Sequence, residues 1–282
     1  MDLVQLPEIA AGGMAWHLLG ISAAGLALVC LVGWWVQCRT LNAAHADVIW
    51  AYGVGGASLF YLLLGSGPVL LRLVTACLIG FWSLRLGTHI LRRVIAEGGH
   101  EEGRYAAMRE SLGERINTFH LFFFLGQGLL AWLFALPAWV IAQHPGYQAG
   151  EPSLLWLLAG VLVGVVALAG ESVADKQLDR FRRNPANRGT TCREGLWRYS
   201  RHPNYFFEWL HWFSYPLIAV GAAYAGWLWL APLFMFLFLW FVTGIPYTEK
   251  QALKSRGDDY REYQRTTSAF IPWRPRHGHS TR

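Results

Sequence analysis

The sequence predicts an all-α, polytopic integral membrane protein of about seven transmembrane helices, with its amino terminus outside and its carboxy terminus cytoplasmic. Three observations carry this prediction. The 282-residue chain is 54% hydrophobic and only 15% charged, with a mean hydropathy of +0.27. Several apolar runs reach the roughly 20 residues a helix needs to cross a bilayer. The 24 Lys and Arg residues fall, with one exception, on alternate loops, their edges and the tail.

The apolar runs place spans near 14–36, 47–65, 68–87, 118–142, 153–175, 204–223 and 227–247. Basic residues cluster at Arg39, from Arg92 to Arg115, from Lys176 to Arg201 and from Lys250 to Arg282. The opposite loops carry none except Arg72, just inside span three. Cytoplasmic loops are enriched in Lys and Arg, which sets the orientation. The same placement accounts for the net charge of +6 without invoking nucleic acid, for which no motif is present. Asp2 and Glu8 precede the first span without a basic lead-in, so that span reads as an uncleaved insertion signal. Residues 1–282 read as a single membrane domain. Cys30, Cys38, Cys77 and Cys192 show no paired or zinc-type spacing, so neither a disulfide nor a metal is expected.

Taken in order, span one is apolar throughout and rich in Gly and Ala, which suits close helix packing. Asp47 opens span two at the cytoplasmic edge. It reads either as an acidic helix-start residue favoured by the helix dipole or as a carboxyl group facing a substrate cavity. Span three ends in Trp82-Ser-Leu-Arg85-Leu-Gly-Thr-His89, which puts Arg85 and His89 on one helix face. Ionisable groups at membrane depth are functional candidates, although headgroup contacts near a helix end would also explain them. From Arg92 to Asn117 the chain reads as a solvated loop with a short helix. Its His100-Glu101-Glu102 run lacks a second ligand set at metal spacing. Span four is aromatic and carries Gln127. Span five ends with Glu171, Asp175, Asp179 and Arg182 at i, i+4, i+8 and i+11, one continuous helical stripe.

A polar loop then delivers the most informative run, Gly195-Leu-Trp-Arg-Tyr-Ser-Arg-His-Pro-Asn-Tyr-Phe-Phe-Glu208. Arg201, His202, Asn204 and Glu208 stand where a basic loop gives way to an apolar segment. Unpartnered polar groups there cost about 2–7 kcal/mol. Pro203 fixes its own φ and pushes His202 towards extended backbone, so the chain enters the apolar segment through a turn. Arginine suits bidentate recognition of phosphate, and neighbouring carboxylates suit ribose hydroxyls or a carboxamide. This fits a nucleotide cofactor next to a greasy cavity. No GxGxxG run is present, so a dinucleotide would not be held in the Rossmann manner. The tail, with Tyr247-Thr-Glu249, Gly257-x-x-Tyr260-x-x-Tyr263 and Phe270-Ile-Pro272-Trp273, reads as a short amphipathic helix that folds back through a Pro-terminated turn. The terminal His277 and His279 read as a loose end.

Trp197-Arg-Tyr-Ser-Arg-His-Pro-Asn-Tyr-x-x-Glu208 followed by Trp212 resembles the carboxy-terminal signature of steroid 5-alpha-reductase-type membrane enzymes, and most closely a bacterial branch of that superfamily. Sterol C14-reductases and isoprenylcysteine carboxyl methyltransferases share a looser version. The resemblance covers residues 171–273 and implies an NADPH-binding half there. It implies a hydride transfer to a polarised C=C bond of a hydrophobic, steroid- or lipid-like substrate. It also implies a bacterial inner membrane, with the cofactor site facing the cytoplasm. By this resemblance Asp175, Arg182, Asn204 and Glu208 fall on cofactor-pocket positions, with Arg201, His202 and Tyr205 in the same motif. Glu171 stands where the reductases often have Asn, His211 where they often have Glu, and Phe207 where they usually have Gly. Glu249 and Tyr263 match a sterol-reductase ending. The family's Gln-Glu-Leu-Pro motif and carbonyl-polarising Tyr have no clear counterpart; Asp47 and His89 occupy comparable places. Two alternatives stay open: a methyltransferase using S-adenosylmethionine, and a non-catalytic lipid-binding protein. Membrane lipids are the remaining partners implied, and no oligomeric state is.

Overall fold

The computed structural model describes residues 15–96, 101, 103–147, 153–242 and 244–276. His100, Glu102, His277 and His279 lie outside them. The described residues are helical apart from turns, loops and a single isolated bridge between Ser200 and Ser268. Six of the helices are long and apolar enough to cross a membrane: Trp16–Thr40, His45–Leu64, Val69–Ala96, Tyr105–Ile141, Leu154–Arg183 and Ala225–Arg256. The protein is thus a polytopic helical membrane protein. It divides into two compact units, one of residues 1–153 with 219–225, the other of 154–218 with 226–282.

The first unit contains α1 (Trp16–Thr40), α2 (His45–Leu64), α3 (Val69–Ala96), α4 (Gly103–Leu112) and α5 (Ile116–Ile141). Its large exposed side chains, such as Leu28, Leu63 and Phe122, are the apolar faces expected of helices solvated by lipid. Helices in lipid gain little from hydrophobic burial and pack instead through small residues and interhelical hydrogen bonds. Gly55 of α2 shows why: a Cβ there would fall 2.2 Å from the Ser83 hydroxyl oxygen of α3. That close approach lets Ser83 donate across to the Ala51 carbonyl at 2.9 Å. Arg72, the one basic residue on its side of the sequence pattern, reaches back over the end of α2. Its guanidinium donates to the carbonyls of Leu62 at 2.9 Å, Leu63 at 3.3 Å and Gly67 at 2.9 Å. It thereby satisfies carbonyls that a helix end leaves without intrahelical donors.

The second unit contains α6 (Ser153–Arg183), α7 (Pro203–His211), α8 (Ser214–Ile218), α9 (Leu230–Leu237), α10 (Ile245–Arg256) and α11 (Asp258–Thr266). Here one expectation is corrected. The apolar stretch 204–223 is not one long helix but the two short ones, α7 and α8. Pro216 cannot donate to the carbonyl four residues back, and a helix running through it would clash at Trp212. The break falls at Trp212 and Phe213. Irregular backbone at membrane depth is tolerated where protein covers it, and Trp212, Ser214, Tyr215 and Ile218 are each at most 1% exposed. The last apolar stretch is also irregular. α9 widens into a π-helical turn over Phe238–Val242 before α10 begins. The tail then folds back, as its Pro-terminated turn implies, so that the backbone of Arg201 donates to the Ser268 carbonyl at 2.8 Å.

Candidate functional site

In the second unit, α6 presents the acidic–basic stripe and α7 presents the motif. Pro203 occupies the first turn of α7, where its missing N–H would be unpartnered in any case. His202 before it has φ −137° and ψ 59°, outside the helical region, so the motif enters α7 through a turn as its sequence implies. One turn above Asp175, Gly170 of α6 receives the ring of Phe207. A Cβ on Gly170 would sit 2.4 Å from that ring. The Phe207 ring is thus accommodated by a glycine on the facing helix, and α6 and α7 touch at the level of Glu171 and Glu208.

That contact brings the predicted residues together. The Asn204 amide donates to the Asp175 carboxylate at 3.2 Å, while its carbonyl oxygen accepts the Tyr205 N–H at 3.0 Å. Both side chains are half-buried, which leaves part of each accessible. The Tyr205 ring stacks on His202 with centroids 5.3 Å apart. Thr248 spends its proton on the Gly244 carbonyl at 2.9 Å, so Tyr205 donates to Thr248 at 3.1 Å. Glu171 and Glu208 are deeply buried, 4% and 6% exposed, and Glu208 accepts the Trp212 indole N–H at 3.1 Å. His211 is fully buried and lies 2.6 Å from the Tyr215 hydroxyl.

Two turns along the stripe from Asp175, Arg182 lines a cavity of about 160 Å³ together with Arg188 and Arg256. Asn187, Gly189 and Thr190 supply further polar lining. None of the three arginines forms an ion pair with a carboxylate among the described residues. Arg256 instead covers the Tyr260 ring at 5.6 Å. Three arginines on one cavity, none held in a carboxylate ion pair, suit an anionic ligand such as a phosphate. Sequence reasoning found Arg182 in its stripe but not Arg188 or Arg256, whose approach depends on the fold of the 184–194 loop and of α10.

Arg201, His202, Glu249 and Tyr263, read from the sequence as cofactor contacts, direct their polar groups at the protein itself. The Glu249 carboxylate accepts from Arg201 Nε at 2.7 Å, His202 Nε2 at 3.3 Å, Tyr260 at 3.4 Å and Gln264 at 2.8 Å. Arg201 also donates to the carbonyls of Gln264 at 3.1 Å and Thr267 at 2.7 Å. Tyr263 is 1% exposed and donates to the carbonyls of Trp197 and Ser200. Burial pulls the His202 imidazole below its usual range, with Glu249 pulling the other way. Burial likewise pushes the Tyr263 hydroxyl well up. These four residues tie the motif to the tail.

The first unit holds a second polar cluster. Asp47 accepts from the Tyr105 hydroxyl at 3.2 Å and from the Gln127 amide at 3.4 Å. Tyr105 is fully buried, although its neighbourhood reads in sequence as a solvated loop. The loop is held down by Glu101, which accepts the Ala43 N–H at 2.9 Å and both arms of Arg109 at 2.9 Å. Burial opposes ionisation of Glu101, but those hydrogen bonds outweigh it and hold the carboxyl below its usual range. His89 lies on the exposed face of α3, next to Thr88, which meets the Tyr52 hydroxyl at 3.0 Å. Tyr105 is therefore a functional candidate that sequence reasoning missed; one buried tyrosine in a charged loop carries no period to reveal it.

An uncharacterized protein of Schizosaccharomyces pombe is 27% identical over 274 residues, covering 88% of this chain and 78% of its own length. No solved structure matches the chain. The family described as "Protein of unknown function (DUF1295)" matches residues 33–267, which include every side chain placed above in the two clusters. The chain belongs to the DUF1295 family.

Proposed function

We propose that this protein is an NADPH-dependent membrane reductase that acts on a polarised C=C bond, of enone type, in a hydrophobic steroid- or lipid-like substrate. The observation that carries the reading is the Asn204–Asp175 contact on the same α6 stripe as Arg182 and its arginine-lined cavity. A nucleotide needs these two kinds of group: fixed cations for phosphate oxygens, and a carboxylate–amide pair for hydroxyls or a carboxamide. The signature shared with steroid 5-alpha-reductase-type enzymes supports the same reading, as does membership of a family grouped with them.

Held by these residues, NADPH would be the source of the hydride for the β-carbon of the acceptor. In this reading Arg182, Arg188 and Arg256 hold its phosphates, and Asp175 with Asn204 orients a ribose or amide portion. The reading gives Tyr105 the task of polarising the substrate carbonyl, its one O–H turning from the Asp47 carboxylate to the substrate oxygen. A fixed hydroxyl donor stabilises developing enolate charge. The α-carbon takes a proton that comes ultimately from solvent, so NADPH and one proton are consumed for each C=C bond saturated. The Arg-rich loops follow the cytoplasmic pattern, and the cofactor would enter from that side.

The test is a titration of detergent-purified protein with NADPH, NADH and S-adenosylmethionine, following quenching of its 15 tryptophans. Saturable quenching by NADPH that is lost in folded Asn204→Ala and Arg182→Ala variants is the expected result. Wild-type affinity in either variant, or a response to S-adenosylmethionine alone, would overturn the reading.

A further inference from the structure

The carboxy-terminal loop carries a second cluster of arginines. Beyond α11 the chain makes a closed loop rather than a loose basic tail. Arg276 N–H donates to the Thr266 carbonyl at 2.8 Å and shuts the loop at its base. Within it, Trp273 N–H donates to the Tyr199 carbonyl at 2.9 Å, and the Ser200 hydroxyl donates to the Phe270 carbonyl at 2.7 Å. The backbone that carries Arg274 and Arg276 is therefore fixed against the motif, which lowers the ordering cost of binding through them.

The loop borders an open cleft of about 390 Å³ lined by Arg265, Arg274 and Arg276, with Thr266, Thr267 and Ser268 beside them. None of those three arginines pairs with a carboxylate among the described residues. Arg201 also lines the cleft, but its charge is committed to Glu249 at 2.7 Å. Three uncompensated guanidinium groups with adjacent hydroxyls suit the oxygens of a phosphate ester. The same loop exposes two large apolar side chains, Ile271 at 57% and Trp273 at 72%, and Tyr199 beneath it is 41% exposed. Aromatic and aliphatic tips beside clustered arginines make up a surface for the membrane interface. There basic residues are drawn to an anionic leaflet and aromatic side chains to the headgroup level.

We propose that the 266–276 loop binds the phosphate headgroup of an anionic phospholipid, with Ile271 and Trp273 set against its acyl region. This site shares no residue with the Arg182 cavity and does not depend on the reductase reading.

The experiment follows thermal unfolding of the full-length protein in detergent with dioctanoyl phosphatidylglycerol, dioctanoyl phosphatidylcholine or sodium phosphate at equal concentrations. Phosphatidylglycerol should raise the midpoint above that seen with phosphatidylcholine. Added NaCl should shrink the difference, and Arg274→Gln/Arg276→Gln should abolish it. The single variant Arg265→Gln, expected to weaken the shift, serves if the double variant does not fold. NADPH quenching should be unchanged in these variants, which separates a failure here from a failure of the cofactor reading. Equal shifts from the two lipids, or an undiminished phosphatidylglycerol shift in the variants, would overturn the proposal. Inorganic phosphate matching phosphatidylglycerol would assign the cleft to a free anion and overturn the lipid assignment.

Discussion

Arg201 donates its Nε–H to the Glu249 carboxylate at 2.7 Å, and the two side chains are only 12% and 16% exposed. Removing one partner of a fully buried ion pair strands the other at about 3–5 kcal/mol, an upper bound for this part-buried pair. Glu249→Ala strands Arg201 and also deprives His202, Tyr260 and Gln264 of their acceptor. We expect Glu249→Ala to lower the thermal midpoint sharply in detergent, with Arg201→Ala/Glu249→Ala less damaging than the sum of the single changes. Simple additivity would show that the pair does not act as a unit.

Gly170 and Phe207 make a separate prediction. The Phe207 ring lies where a Gly170 side chain would be, and Phe206 meets it edge-on at 5.3 Å. Gly170→Ala should therefore destabilise by about 1–3 kcal/mol, as overpacking does. In a Phe207→Ala background the same alanine should cost less, with a coupling of at least ~0.5 kcal/mol. Equal costs in both backgrounds, read from unfolding midpoints, would mean the two residues do not pack as described.

How much of this was legible in sequence follows the range of the forces involved. Apolar runs long enough to cross a bilayer mark the long helices, because the membrane imposes one length on all of them. The α6 stripe was legible because helical period alone aligns Glu171, Asp175, Asp179 and Arg182. Pro216 was a visible signal for the break in the 204–223 stretch, where the Trp212 and Phe213 N–H groups turn to the Trp209 and Leu210 carbonyls. Arg188, Arg256 and Tyr105 were not legible. Their placement rests on loop closures such as the bond from Ala43 N–H to Glu101, 58 positions apart, and no local pattern encodes such a contact. The role of Arg201 was obscured for a related reason. An arginine that binds a phosphate and one that binds a glutamate look alike until the glutamate is located.

His202 gives stability a pH dependence of definite sign. Its imidazole, 2% exposed, titrates below the usual value because burial disfavours the charged form, while Glu249 and Arg201 face it with opposing effects. The unfolded chain, with a histidine pKa of about 6.5, then binds more protons than the folded one. The contribution from His202 is thus fully present above about pH 6.5 and is lost as pH falls through the lower folded value. Melting curves between about pH 5 and 8 should show wild type losing stability on acidification more steeply than His202→Gln. Parallel slopes for the two proteins would rule the histidine out as the source.

Tyr105 separates catalysis from architecture. Its hydroxyl meets Asp47 at 3.2 Å, and the ring is fully buried among Phe123 and His120. Tyr105→Phe keeps that packing and removes one hydrogen bond, worth about 0.5–1.5 kcal/mol. A purely structural tyrosine would lose no more than that. A tyrosine that polarises the acceptor carbonyl would lose about 10²–10³-fold in turnover, the usual effect of deleting one preorganised donor. With any hydrophobic enone that the wild type reduces, NADPH oxidation followed by absorbance should collapse in Tyr105→Phe. NADPH quenching, which reads the second unit, should stay at the wild-type level, and Asp47→Asn should share the kinetic defect because it alters the group that holds the hydroxyl. Near-wild-type turnover in folded Tyr105→Phe would leave the pair a structural contact and assign carbonyl polarisation to another group.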